Sequence, residues 1–264
     1  MRSQLWPMLR NELIKATRRK LPWFGFFGVG LLCLIIHAMA GQLVGPTANG
    51  WAYVAFSMQL VFSDIGPIFV IVFSAMLLSE ETGTGTIRAM LAAPVQRWEL
   101  YVAKTVTGLL YTLAVSAVAL LCSVALGHLQ RHFGEVGDSF GVVYTQGQMM
   151  HQFLIAYALS WIPLCALVMY GLFVSTIVRS PGAAVATGIS TLFLIDFTKH
   201  LAGLDPYIFT RYLDYSWLNL QLLSQGMELQ WRPEVWKMIG LSGTYAVVGF
   251  VAGLIIFVRQ DLNH

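Results

Sequence analysis

Charge is what this sequence has least of. Asp, Glu, Lys and Arg together make up 11% of 264 residues, against roughly 25% in an ordinary soluble domain. Apolar residues this abundant cannot all be hidden from water in a chain of this size, so lipid is the natural solvent. Cysteine is also scarce. Cys33, Cys122 and Cys165 lie inside apolar runs without metal-ligand or disulfide spacing, and read as small buried apolar residues. The net charge of +3 is too small to argue for nucleic acid as a partner. No low-complexity linker divides the chain, which reads as one domain over 1–264.

Catalytic motifs are missing as well. The glycine-rich run Gly25-Phe26-Phe27-Gly28-Val29-Gly30 is followed by Leu31-Leu32, so the Lys and Ser/Thr that complete a P-loop are absent and ATP is not bound by that route. Gly188-Ile189-Ser190 is followed by Thr191, where the Gly-x-Ser-Gly of rhomboid-type proteases needs a second glycine. Glu80-Glu81 is followed by Gly85, where the Glu-Glu-x-x-x-Arg of CAAX-type membrane proteases needs arginine. No His-Glu-x-x-His occurs. The sequence therefore offers no catalytic residue, no metal site and no cofactor of its own.

What it does have is apolar length. Hydrophobic residues reach 57% and the mean hydropathy is +0.67. A bilayer core needs about 20 apolar residues per helix, and six stretches qualify: 21–41, 59–79, 105–127, 153–178, 182–198 and 239–258. The fifth is the shortest and carries Asp196. The first is too long for a cleavable leader and has no small-residue cleavage site. An all-α integral membrane protein of about six spans is expected.

Orientation follows from Lys and Arg between the spans. Arg2, Arg10, Lys15, Arg18, Arg19 and Lys20 precede the first span, and Arg88, Arg97 and Lys104 follow the second. Arg179 follows the fourth and Arg259 closes the last. The opposite side holds Arg131, Lys199, Arg211, Arg232 and Lys237, mostly in one long segment. Both termini are expected to be cytoplasmic, in the inner membrane. Within 1–20, Leu5, Trp6, Leu9, Leu13 and Ala16 recur at helical spacing, with Arg10, Asn11, Lys15 and Arg18 opposite. That pattern predicts an amphipathic helix in the cytoplasmic interface, its basic side chains near lipid phosphates. The segment 199–237 is rich in aromatics (Tyr207, Phe209, Tyr212, Tyr215, Trp217, Trp231 and Trp236). It predicts one or two short helices on, or dipping into, the outer leaflet.

The most informative stretch is 80–104. Gly83 and Gly85 allow tight backbone geometry, Thr86 is placed to N-cap a short helix over 87–93, and Pro94 stops it. A second helix, with Arg97 and Glu99 on its polar face, leads to Lys104 and the third span. Glu81, Gly85, Thr86, Leu91, Pro94 and Arg97 resemble the Glu, Gly-Thr, Leu and Pro-x-x-Arg pattern of the type-2 ABC permease family, the export-class membrane subunits. The layout of basic amphipathic helix, six spans and outer aromatic segment is similar over the whole chain. The resemblance implies that the loop forms a coupling helix, with Glu81, Gly85, Thr86, Ile87, Arg88, Met90, Leu91, Pro94 and Arg97 facing an ATPase subunit. Glu81 is expected to pair with Arg88 or Arg97. The resemblance further implies two permeases working with two ATPase subunits, which bind ATP and Mg. A non-transporting receptor or scaffold is the alternative. A secondary transporter is another, but the paired mid-membrane charges and inverted repeat it should show are absent.

Polar groups inside the spans are few. Asp196 lies three residues before Lys199 on one helical face, which reads as a structural ion pair, with a substrate or proton role as the alternative. Asp64 is placed near the outer end of the second span, before Gly66-Pro67, and His37 near the outer end of the first as a packing histidine. Gly249 and Gly253 in the sixth span, and Ala184 and Gly188 in the fifth, have small-x-x-x-small spacing. That serves either packing within the chain or contact with a second copy.

Overall fold

The computed structural model describes residues 5–45, 48–84, 96–138, 141–201, 203–227 and 231–260. Its helices are α1 (Leu5–Arg18), α2 (Lys20–Ala38), the short α3 (Ala40–Leu43), α4 (Gly50–Leu60), α5 (Gly66–Gly83), α6 (Arg97–Gln130), α7 (Gln146–Ile177), α8 (Pro181–Leu201), α9 (Tyr215–Ser224) and α10 (Arg232–Arg259). Six helices among the described residues are long and apolar enough to cross a membrane: α2, α4 and α5 joined as one, α6, α7, α8 and α10. The protein is an all-α integral membrane protein, with one small antiparallel hairpin, Val136–Asp138 with Gly141–Tyr144, that apolar periodicity did not predict.

The second span differs most from expectation. It runs unbroken from Gly50 to Gly83 and begins nine residues earlier than position 59, because Asn49 caps α4 by accepting from the Ala52 amide at 2.8 Å. Position 64 therefore lies within the helix and not at its outer end. The Asp64-Ile65-Gly66-Pro67 sequence makes a π turn, Val61–Ile65, in place of a stop. The Gly66 amide donates to the Val61 carbonyl five residues back. A Cβ at Gly66 would sit 2.5 Å from that same oxygen, so glycine alone fits the turn. The wider turn also lets Pro67 enter a helix whose regular ladder it would interrupt.

α5 lies at the centre, packed by α2, α6, α7 and α8, while α10 packs mainly on α7. The small-residue pairs serve contacts within the chain. A Cβ on Gly253 would meet the Tyr101 hydroxyl at 2.2 Å, and one on Gly249 would meet Met169 at 3.3 Å. Ala184 is fully buried, and Gly188 faces Ile71 of α5. His37 packs edge-on against Tyr53.

The end of the bundle away from α1 is closed by protein. Gly50 donates its amide to the His132 carbonyl and Trp51 its indole N–H to that of Gly134, both at 3.0 Å. Asn49 Nδ2 reaches the Ser224 carbonyl, also at 3.0 Å. The 199–237 segment forms two 3-10 turns, Asp205–Tyr207 and Phe209–Tyr212, followed by α9. α9 wedges between α4 and α7. Trp217 is fully buried there between Phe62 and Phe153. Of the aromatics expected at the lipid headgroups, Phe209, Tyr212 and Trp217 are core residues, and Tyr207 and Trp236 are exposed.

Candidate functional site: a buried ion network

Four charged side chains meet where α1, α5 and α6 come together at the basic end of the bundle. Lys104 Nζ lies 2.8 Å from Glu12 Oε2 and 2.9 Å from Glu81 Oε1. Lys15 Nζ lies 2.8 Å from Glu12 Oε1 and 3.0 Å from the same Glu81 oxygen. Lys104 is 0% exposed, Glu81 3% and Glu12 4%. Desolvating such groups costs several kcal/mol per ion, recovered only where each charge is paired and hydrogen-bonded, and removing one partner costs about 3–5 kcal/mol. Among the described residues two carboxylates face two ammonium groups, so these four side chains sum to zero charge.

Its members come from positions that sequence periodicity places elsewhere. Glu12 sits in the middle of the α1 face that packs on α6, beside half-buried Met8 and Ala16. Lys15 turns inward, although it was expected on the lipid-facing side. Trp6, from the apolar set of that helix, is 73% exposed. Lys104 is not a loop residue: α6 starts at Arg97, so position 104 is two turns inside the helix. Glu81 pairs with Lys104 and Lys15; Arg97 is engaged elsewhere, and Arg88, the other expected partner, lies outside the described residues. The available signal was a lone acid at position 12 in a basic tail, three residues from Lys15, and a lone lysine among the apolar residues that open the third span.

Electrostatics agree with the geometry for the two α1 members. Burial pushes the Glu12 carboxyl up, but the charges and hydrogen bonds of Lys104 and Lys15 more than offset it, leaving it below its ordinary value. Burial likewise pushes Lys15 down, and hydrogen bonds to Glu12 and Glu81 reverse this, raising it above its ordinary value. Outside the network, Arg19 pairs with Glu80 at 2.7 Å. Arg19 is extended and breaks α1 from α2, which turns the chain from the platform into the first span.

Gly85, Thr86, Ile87, Arg88, Met90, Leu91 and Pro94 lie outside the described residues, but both ends of their loop are held. On one side Thr82 Oγ1 donates to the Arg179 carbonyl at 3.3 Å. On the other, Gln96 and Glu99 form a capping box at the start of α6, which buries Glu99 instead of leaving it on a polar face. Arg97 donates to the carbonyls of Val258 at 3.2 Å and Gln260 at 2.6 Å, so a cation satisfies the exposed carbonyl end of α10. Far from this platform, Asp196 and Lys199 are paired at 2.5 Å, as the spacing predicts. Among the described residues no cluster of His, Cys, Asp and Glu could hold a metal ion.

Residues 8–194 match the family model described as ABC-2 family transporter protein. The chain belongs to the ABC-2 transporter family. This permease is also similar to the uncharacterized protein YhcI of Bacillus subtilis (strain 168), with 20% identity over 221 residues, covering 80% of this chain and 69% of the relative. The family match takes in most of α1, the ion network, the whole 80–104 connection and most of α8. As an ABC-2 membrane component, the chain is a multi-pass permease subunit of an ABC transporter.

Proposed function

We propose that this permease is the membrane half of an ATP-driven exporter. Two copies of the chain work with two separate ATPase subunits that bind ATP and Mg, and both termini face the cytoplasm. The 85–95 loop docks on the ATPase. Its motion on nucleotide binding enters the spans through α5 and α6, which leave and re-enter the membrane at Glu81 and Arg97. The observation that carries this reading is the ion network: it fixes the last turns of α5 and the first turns of α6 to one another and to α1. A displacement of the loop then moves three helices together.

The test uses two variants, one in the loop and one at its root. Leu91→Asp replaces an apolar residue of the loop with a charge, and Glu81→Ala removes the anchor that α5 offers Lys104 and Lys15. Both should insert in the membrane, yet Leu91→Asp should lose co-purification with the ATPase subunit and Glu81→Ala should lose most substrate-stimulated ATP hydrolysis. Wild-type assembly and transport in both variants would remove the loop from the coupling path.

A further inference from the structure

A second polar site lies at the opposite end of the bundle, open to lipid. α8 presents Phe193, Leu194 and Phe197 outward. On the edge of this apolar face, Asp196 lines a groove of about 130 Å³ together with Ser63, Ile68, Leu192, Phe193 and Thr210. Asp196 is roughly 15 residues beyond Pro181, or about 22 Å along the helix, and so lies toward the outer end of the span.

The ion pair here is arranged the wrong way round for a purely structural role. A lysine near a helix end ordinarily extends its ammonium to the interface. Lys199 does the reverse: its side chain is 8% exposed and donates to Thr210 Oγ1 at 3.4 Å, while the Asp196 side chain is 50% exposed. The cation is behind and the anion in front. Lys199 covers one side of the carboxylate, and the side that faces the groove is costly against lipid unless something covers it as well. The opposite wall is the π turn, which sets Ser63 and Ile65 toward the groove, and π turns inside α-helices recur at functional sites.

We infer that this groove binds the ammonium head of an amphiphile. The head group sits against the exposed face of the Asp196 carboxylate, donating to it and to the Ser63 and Thr210 oxygens. The hydrocarbon lies along Ile68, Leu192 and Phe193. Charge selects the ligand: an anionic head meets a carboxylate, and a neutral one gains no ion pair. The site is independent of how transport is powered.

Native mass spectrometry of the purified protein in a neutral detergent tests it, with dodecylammonium, dodecanol and dodecyl sulfate offered at equal concentration. Wild type should retain one dodecylammonium per chain in preference to the other two. Asp196→Asn should weaken retention at least tenfold. Ile68→Trp, which fills the groove and leaves the Asp196–Lys199 pair in place, should abolish it, and this variant decides the question alone if Asp196→Asn does not fold. Displacement by phosphatidylethanolamine but not phosphatidylglycerol identifies the occupant as a lipid headgroup; no displacement by either identifies a free amphiphilic cation. Equal retention of dodecanol, or undiminished retention by Ile68→Trp, overturns the site.

Discussion

Glu12 is the only acidic side chain in the first twenty residues, and its surroundings set a pH dependence that can be signed. Its carboxyl is held below the ordinary value of 4.5 in the folded protein. Its contribution to docking α1 is therefore complete above that value and is lost as pH falls through the lower, folded one. Lys15 is raised above its ordinary 10.5, so its contribution is complete below that value and is lost only as pH rises through the higher, folded one. Between these limits α1 should stay clamped. Spin labels at positions 10 and 98, in a background with the native cysteines replaced, would report the α1–α6 distance. We expect a narrow distribution throughout the neutral range that broadens on acidification. In Glu12→Gln it should already be broad at neutral pH and insensitive to acid. Broadening on mild alkalinisation with none on acidification would contradict the assignment. The residues of this network were only partly legible in the sequence. Glu81 stands out through a motif, whereas Lys15 and Lys104 read by their usual habits as interfacial or topogenic charges and Glu12 carries no pattern that singles it out. What hid them is that a buried charge is defined by its partners, and these lie up to 92 positions apart.

At the scale of elements, the spans were legible because twenty apolar residues in a row have few other uses. Their ends were less so. Asp64 and Gly66-Pro67 look like a boundary in one dimension, but a π turn with glycine at one position carries the helix through them. The small-residue pairs were legible as contacts without indicating with what, since close approach to a neighbouring helix looks the same from either partner. Now that Gly253 is seen against Tyr101, the contact can be tested. Gly253→Ala should destabilise the protein by about 1–3 kcal/mol, the usual cost of overpacking. Tyr101→Phe should relieve most of that loss, because it removes the atom that the new methyl meets at 2.2 Å. Among the described residues the phenol has no hydrogen-bond partner to forfeit. Melting temperatures of the two single variants and the double variant would show it. Additive losses would place the strain elsewhere.

For the whole molecule, the two ends of the bundle are built differently. One is a charged platform in which α1, Glu80, Glu81, Arg97, Lys104 and the end of α10 are joined by ion pairs and capped carbonyls. The other is a cap of hairpin and short helices joined through backbone hydrogen bonds and aromatic packing. The lysine and arginine distribution is the ground on which we propose that the platform faces the cytoplasm. A cysteine placed at Val142 on the exposed hairpin should therefore react with a membrane-impermeant maleimide on intact cells, and one placed at Trp6 only after the cells are opened. The reverse pattern would invert the protein and take the loop away from any cytoplasmic ATPase.

The neutrality of the four-residue network has a consequence for energetics. A charge carried across a membrane potential exchanges about 2.3 kcal/mol per 100 mV, which is how voltage moves a protein. Glu12, Lys15, Glu81 and Lys104 displaced as one body carry no net charge through that field. As a group these four side chains are thus electrically silent: voltage across the bilayer does no net work on them together, and a force that moves them as one body has to arrive mechanically, through contact.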